Sequence, residues 1–271
     1  MPNHVTNQVT FLGSTTRIKE LREKCKGTDS PFSFQAFYPM PQELQGTSSP
    51  AKVVSDKELR EWKDKLASGE LKEWERDYRP ITLKEQTYLI SKYGCDNWYD
   101  WHLEHWGTKW DCYSHVEDDE CNITFDTAWS TPIRVLLELS RMFNDITIEV
   151  KYADEDFGSN VGTYTLLGGH IESMYQPSYS KESVKLAMEI LSDTEYWVTD
   201  RLCEVENDAE LEGFDLWLVE IAHDEGYLLE EYPICVLGLL FDMAVADEQY
   251  ERAGQIKQLM KLKLNSDNLN Q

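Results

Sequence analysis

Residues 97–112, NWYDWHLEHWGTKWDC, bring together side chains that could bind a metal ion. His102 and His105 are three residues apart, which places two side chains on one helix face, and Cys112 precedes His115 by three residues. Histidine and cysteine are zinc ligands, so a metal site is one hypothesis. We do not predict it, because the tryptophans do not fit a zinc finger or ribbon and because positions 112 and 115 of one strand point to opposite faces. The sequence predicts no metal and no other cofactor.

Catalytic motifs are a second hypothesis for this chain. No Gly-x-Ser-x-Gly sequence occurs, and nothing marks one of the six cysteines as an activated nucleophile. Asp100, Asp111 or Asp126 could be paired for acid–base work, but 50 acidic residues make any such pairing uninformative. The glycines between 158 and 169 match neither a phosphate-binding loop nor a dinucleotide fingerprint. The sequence therefore leans against an enzyme.

The tryptophans support two interpretations. Five of the nine lie between positions 98 and 129, and a tryptophan buries a large area while its indole N–H needs a hydrogen-bond partner. We favour a ring-packed core between a helix and the sheet; the alternative is a shallow aromatic pocket for a small ligand or substrate, with Lys109 as its polar anchor. Both interpretations concern one set of candidate residues: Asn97, Trp98, Asp100, Trp101, Trp106, Thr108, Lys109, Trp110, Asp111 and Trp129.

Hydrophobic periodicity predicts the elements that position these residues. The expected order is strand, helix, strand, helical insertion, two strands, helix and two strands, which is typical of an α+β fold. The second strand, at 32–40, would place Phe32 and Phe34 on one face of the sheet. The predicted ranges are strands at 4–13, 32–40, 110–118, 120–129, 145–154 and 162–174, and helices at 18–25, 82–94 and 132–143.

Two domains are predicted from the change in pattern along the chain. An α+β domain covers 1–175 and carries a helical insertion at about 42–94, where Leu59, Trp62 and Leu66 form a thin apolar stripe. An acidic helical domain covers 176–271, because strand alternation gives way to helical periodicity near Pro177. Its last helical stretch is expected to break near Asp247 or Gly254.

Charge narrows the expected partners. The chain carries 26 basic and 50 acidic residues, a net charge of −24, and the 22 acidic and 7 basic residues from Glu172 onward contribute −15 of it. Such a field disfavours nucleic-acid binding, which needs basic residues against phosphate. It attracts basic proteins or imitates DNA to a DNA-binding protein, although an acidic surface also serves simply to keep a protein soluble.

Compartment is predicted from what the sequence lacks. No run of about 18 apolar residues predicts a membrane span, and the first residues, MPNHVTNQ, do not have the pattern of a signal peptide. The six cysteines show no paired spacing, as expected for thiols in a reducing compartment. We therefore expect a cytoplasmic protein with no membrane partner.

Four motifs, in order along the chain, resemble the YubB-like proteins: MPNHVTNQVTF, PMPQEL, NWYDW with WGTKWD, and FDTAWSTP. That family is found on conjugative plasmids, phages and related bacterial mobile elements and carries a ferredoxin-like domain. The resemblance covers most of residues 1–171. It implies a ferredoxin-like antiparallel sheet and a bacterial mobile-element setting, and it brings no activity, cofactor or catalytic residue.

The leading functional hypothesis is a non-enzymatic protein-binding module of a mobile element. Its partner would be a basic or DNA-binding host protein, inhibited by an acidic surface that mimics DNA. The first alternative is a small-ligand-binding protein or enzyme that uses the tryptophan-rich region 97–129. The second is single-stranded nucleic acid stacked on Phe32 and Phe34 of the sheet, which the charge disfavours.

Overall fold

A six-stranded antiparallel sheet, in the order β4-β5-β1-β6-β7-β8, organises the first part of the chain. The computed structural model describes residues 3–117, 119–192, 194–205 and 216–269, which fall into unit 1 (1–178) and unit 2 (179–271). Two further strands, β2 and β3, form a separate short parallel pair. The strands are β1 (His4–Leu12), β2 (Val53–Val54), β3 (Ile81–Thr82), β4 (Tyr113–Glu117), β5 (Asn122–Ala128), β6 (Thr147–Asp154), β7 (Gly162–Leu167) and β8 (His170–Tyr175).

Local sequence signals mark the ends of several helices of unit 1. Ser14 caps the first, its hydroxyl accepting from the backbone N–H of Arg17. Thr82 caps α5, and Gly94 ends it with a φ of 79°. The helices are α1 (Thr15–Cys25), α2 (Phe34–Phe37), α3 (Asp56–Ser68), α4 (Glu73–Arg76), α5 (Leu83–Tyr93), α6 (Trp98–His105) and α7 (Ile133–Met142).

The connections between these elements identify the fold. The succession β1-α1-β4-β5-α7-β6, with the four strands ordered β4-β5-β1-β6, is the ferredoxin-like βαββαβ arrangement. The helical insertion at about 42–94 lies in the long connection between α1 and β4, and β7 and β8 extend the sheet beyond β6. The predicted fold class is therefore confirmed.

Alternating burial along β1 places the core on one face of the sheet. Val5, Asn7, Val9 and Phe11 are buried, whereas the residues between them are only partly covered. Helix α7, predicted at 132–143, contributes an apolar stripe to this core. Its buried residues are Val135, Leu136, Leu139 and Ser140.

The predicted strand at 32–40 is wrong. Residues Phe34–Phe37 form a short helix, and Phe32 and Phe34 are fully buried. Their rings pack 5.3 Å and 5.9 Å from the Phe125 ring. The alternation of aromatic residues here does not mark one face of a strand, because their rings pack into the core. Neither ring can serve as a stacking platform for nucleic acid, so the structure removes the feature on which that alternative depended.

The end of the predicted sheet also differs in detail. The single strand predicted over 162–174 is two strands, β7 and β8, which pair antiparallel. Gly168 and Gly169 form the turn between them with φ values of 58° and 80°, a left-handed conformation that glycine adopts without strain.

The insertion packs less tightly than the sheet. Helix α3 begins with a capping box formed by Ser55 and Glu58, and none of its residues is buried. The predicted stripe of Leu59, Trp62 and Leu66 is only half covered, with Leu66 40% exposed.

Unit 2 is helical in its described residues. The predicted break near Asp247 is confirmed, because one helix ends at Ala246 and the next begins at Tyr250. Asp118 of the predicted strand at 110–118 lies outside the described residues, as do positions 193, 206–215 and 270–271 of the predicted helical domain. No helix in the described ranges has the length and hydrophobicity needed to cross a membrane. The helices are α8 (Lys181–Ile190), α9 (Thr194–Cys203), α10 (Trp217–Glu225), α11 (Ile234–Ala246) and α12 (Tyr250–Leu269).

Candidate functional site

The structure divides the five clustered tryptophans into two groups. Trp101 and Trp106 are 4% and 2% exposed and belong to the core of unit 1. Trp98 is half-buried, and Trp110 and Trp129 are 38% and 42% exposed. The first group fills the interior, whereas the second is available to a ligand.

Helix α6 is fixed at its N-terminus by polar contacts. Asn97 is 2% exposed, and its side chain accepts a hydrogen bond from the backbone N–H of Asp100 at 3.0 Å and donates to the Asp100 carboxylate at 2.7 Å. The hydroxyl of Thr47 accepts from the backbone N–H of Trp98 at 3.0 Å. The Asn97 contacts cap the N-terminus of α6, and the Thr47 contact ties it to the insertion.

The buried tryptophans pack against rings on both sides. The Trp106 indole N–H donates to the carbonyl of Tyr38 at 2.9 Å, and the His102 ring stacks on Trp106 with centroids 3.9 Å apart. Trp101 stacks on His105 at 4.4 Å. The indole N–H of Trp106 thus has the partner that burial requires.

Two hydrogen bonds hold the turn after α6 against the end of β5, and a third joins α6 to that turn. The Thr108 hydroxyl, fully buried, donates to the carbonyl of Ala128 at 2.8 Å, and the Ser130 hydroxyl donates to the carbonyl of Gly107 at 2.6 Å. His102 Nδ1 donates to the carbonyl of Lys109 at 2.8 Å. Lys109 and Trp129, which are 20 residues apart, are therefore neighbours.

The backbone of Trp129 is strained. Its φ is 72°, in the left-handed region that a bulky side chain rarely adopts and that costs about 1–3 kcal/mol. Its N–H donates to the carbonyl of Asn3 at 2.9 Å, and its carbonyl accepts from Asn160 Nδ2 at 3.1 Å. Hydrogen bonds from two other segments thus hold an exposed indole in an unfavourable conformation.

Lys109 lies between two of the exposed rings. Its ammonium is 4.6 Å from the Trp110 ring centroid and 4.7 Å from that of Trp129, within the range of a cation–π interaction. No carboxylate among the described residues forms an ion pair with it. An ammonium held by rings alone keeps its capacity to bind an anion.

These residues line a cleft of about 590 Å³, here called the aromatic cleft. Trp98, Lys109 and Trp129 were candidates from the sequence, and Trp110 flanks the cleft through its contact with Lys109. Sequence reasoning missed the others: Tyr99 stood inside the tryptophan-rich stretch and could have been noticed there, whereas Tyr78 comes from the insertion and has no local signal. The lining residues are Ser48, Ser49, Tyr78, Trp98, Tyr99, Lys109 and Trp129.

The Asp111 carboxylate has a structural role. Its carboxylate accepts from the Ser33 hydroxyl at 2.6 Å and from the backbone N–H groups of Phe34 and Gln35 at 2.7 Å and 3.3 Å. It therefore caps helix α2 from a distant part of the chain. Sequence reasoning had placed it beside the pocket.

Cys112 and His115 meet, contrary to the expectation that they point apart. His115 Nε2 lies 3.4 Å from Cys112 Sγ, because β4 is irregular between Tyr113 and Val116 and Ser114 has a φ of 51°. The pair resembles a nucleophile with its base, yet burial, together with the Asp111 carboxylate, raises the pKa of Cys112 well above that of an ordinary thiol. A protonated, buried thiol is a poor nucleophile.

The histidines do not assemble into a metal site with the cysteine. His105 Nδ1 is 3.2 Å from the Tyr38 hydroxyl, and His102 Nδ1 is used by the Lys109 carbonyl. Within the ranges that the structure describes, no three His, Cys, Asp or Glu side chains are grouped so as to hold a metal ion.

A match to a family model agrees with the ferredoxin-like fold. Residues 105–199, from the end of α6 into α9, match the sequence model of the family described as "Ferredoxin-like domain in Api92-like protein". The crystal structure of protein api92 from Yersinia pseudotuberculosis is similar at 10% sequence identity, with a TM-score of 0.34, over 66% of this chain and 99% of that one. No curated protein matches the chain.

Proposed function

We propose that this chain is a non-enzymatic binding protein that recognises a protein partner through the aromatic cleft. The observation that carries the proposal is Trp129, an indole that is 42% exposed and held at a φ of 72° by hydrogen bonds to Asn3 and Asn160. A strained residue that persists on the surface points to function. Trp and Tyr are also the side chains that most often dominate the energetics of protein interfaces.

The chemistry of the neighbouring groups supports binding over catalysis. Asp111 is engaged by the N-terminus of α2, and the thiol of Cys112 is buried and protonated. The cleft itself is lined by rings, two serines and one ammonium. This lining resembles a recognition surface, in which aromatic area gives affinity and a few polar groups give orientation. The small-ligand alternative uses the same cleft and is tested with the same variants.

The proposed setting is the cytoplasm of a bacterium that carries a plasmid or phage. It rests on the resemblance of four motifs to the YubB-like proteins and on the composition of the chain.

A peptide library displayed on phage tests the proposal without knowledge of the partner. Selection on the intact chain should enrich peptides whose binding is lost in Trp129→Ala and in Trp98→Ala. The matched control is Trp74→Ala, which removes an indole that is 64% exposed outside the cleft and should leave binding unchanged. Failure to enrich any peptide, or peptides that bind the cleft variants and the control equally, would overturn the proposal. Binding of a free aromatic compound such as indole, lost in the same two cleft variants and found without enrichment of any peptide, would favour the small-ligand alternative.

A second candidate function rests on the negative charge of the chain from Glu172 onward. The 22 acidic and 7 basic residues from Glu172 onward could draw in a basic, DNA-binding host protein, and the carboxylates at positions 230, 231, 242 and 248 are exposed. The chain would then compete with DNA for such a protein. Competition with a DNA duplex for a purified basic DNA-binding domain should weaken steeply as salt rises and when Glu230 and Glu231 are changed to Gln. If Trp129→Ala abolishes the competition and the changes at Glu230 and Glu231 do not, the binding belongs to the cleft instead.

A further inference from the structure

We infer that the aromatic cleft receives the free C-terminal residue of its partner, with the terminal carboxylate on Lys109 and an aromatic or large aliphatic side chain against Trp98 and Trp129. This inference rests on the proposed binding function and names the class of segment that the cleft takes.

The positive charge of Lys109 in the cleft favours an anionic ligand. Lys109 is the one charged residue among those that line it, and its ammonium has ring contacts but no ion pair among the described residues. The protein carries a net charge of −24, so a basic side chain of a partner can bind carboxylates elsewhere on the surface. Its binding free energy would be least favourable beside the Lys109 ammonium. A single carboxylate is the group that Lys109 complements.

The remaining lining fixes the rest of the bound residue. Trp98 and Tyr99 meet edge to face at 5.7 Å, and Tyr99 meets Trp129 edge to face at 6.2 Å, which leaves ring surface for an apolar side chain. The Ser48 hydroxyl already donates to the carbonyl of Pro50 at 2.9 Å. The Ser49 side chain is exposed and has no hydrogen-bond partner among the described residues, so its hydroxyl is available to the second carboxylate oxygen.

The surroundings of the cleft favour a C-terminal carboxylate over the side chain of an internal aspartate or glutamate. Tyr78 follows Asp77 and Tyr99 precedes Asp100, and both of these aspartates are exposed. An acidic segment that ran across the cleft would add negative charge near these two aspartates, which like-charge repulsion disfavours. A C-terminal residue contributes one carboxylate, and the chain before it crosses only one side of the cleft. Basic residues in that preceding chain would complement Asp77 and Asp100. A cleft of about 590 Å³ has the size of sites that hold a small ligand.

Binding of two short peptides tests the inference. Calorimetry on the intact protein compares acetyl-Lys-Arg-Gly-Phe as the free acid with the same peptide as the C-terminal amide. The free acid should bind about tenfold to a hundredfold more tightly, because a hydrogen bond to a charged group is lost in the amide. Lys109→Met should remove the difference, Lys109→Arg should keep it, and Lys63→Met, a change at an exposed lysine outside the cleft, should leave it unchanged.

Each other outcome has a definite meaning. Equal binding of acid and amide that is lost in Trp129→Ala would contradict the inference and leave the proposed function standing. Tighter binding of an amidated peptide with an internal aspartate would show that the carboxylate is a side chain, and equal binding of phenylpropionate would show that the ligand is a small acid; both would overturn the inference. No binding of either peptide at millimolar concentration would also overturn it, while peptides from the library that need Trp129 would still support the proposed function.

Discussion

The ammonium of Lys109 lies 4.7 Å from the ring centroid of Trp129, although the two residues are 20 positions apart and the Trp129 backbone has a φ of 72°. The contact forms because the Thr108 and Ser130 hydroxyls bind the turn after α6 to the end of β5. The fold therefore places a cation and an exposed indole side by side at the expense of local backbone strain.

Relief of the backbone strain at Trp129 should raise the free energy of unfolding. Trp129→Gly is expected to be about 1 kcal/mol more stable than Trp129→Ala, because glycine adopts a positive φ without a steric penalty and alanine does not. Urea denaturation of the two variants gives the difference. The same pair at Trp110, which has no positive φ, is the control and should show no advantage for glycine. Equal stability of the two Trp129 variants would mean that the backbone is not strained there.

The buried and exposed tryptophans should differ sharply in their contribution to folding. Trp106→Ala removes a ring that is 2% exposed, together with its hydrogen bond to the Tyr38 carbonyl, and should cost about 3–5 kcal/mol of the free energy of unfolding. Trp110→Ala, at 38% exposure, should cost less than about 1 kcal/mol. Chemical denaturation measures both. Similar losses for the two variants would contradict the division into two groups.

Asp111 should matter for stability and not for binding. Asp111→Ala leaves the hydroxyl of Ser33 and the backbone N–H groups of Phe34 and Gln35 without their acceptor, and we expect a loss of about 1–3 kcal/mol. Asp77→Ala, at an exposed position of the insertion, is the matched control and should be nearly neutral. An Asp111→Ala protein that is as stable as the control would show that the cap contributes little.

His102 should make the protein less stable in mild acid. Burial lowers the pKa of His102 below the ordinary value of 6.5, so the unfolded chain takes up the proton first and the stabilisation from this group is lost as pH falls below about 6.5. In His102→Gln, which carries no such proton, the decline between pH 7 and pH 5 should be smaller than in the parent. His170→Gln, at an exposed position, should retain the full decline. Urea midpoints at the two pH values provide the comparison, and a decline that is unchanged in His102→Gln would contradict the assignment.

Elements specified by nearby residues were predictable from the sequence. The alternation along β1 and the apolar stripe of α7 are local patterns, and the ends of α5 follow from Thr82 and Gly94. The segment at 32–40 was not predictable in this way, because the acceptor that makes Phe34–Phe37 helical is Asp111, 77 residues from Phe34. Local alternation favoured a strand there, and a distant carboxylate decided otherwise.

The candidate site shows the same limit. Composition could mark the stretch 97–129 as unusual but could not tell which rings face inward, since that depends on the approach of Tyr38 to Trp106 and of Asn160 to Trp129. The Cys112–His115 contact depends on an irregularity of β4 that carries no clear sequence signal. Tyr78 joins the aromatic cleft only because the insertion folds back toward α6.

The most direct test of the aromatic cleft as the binding site is a two-dimensional proton–nitrogen NMR titration of the indole N–H signals, of which the nine tryptophans give nine. With acetyl-Lys-Arg-Gly-Phe as the free acid, the signals of Trp98 and Trp129 should move in proportion to peptide bound, and those of Trp101 and Trp106 should stay in place. A spectrum in which Trp98 and Trp129 do not respond while the peptide binds, or in which no indole responds at saturating peptide, would contradict the account.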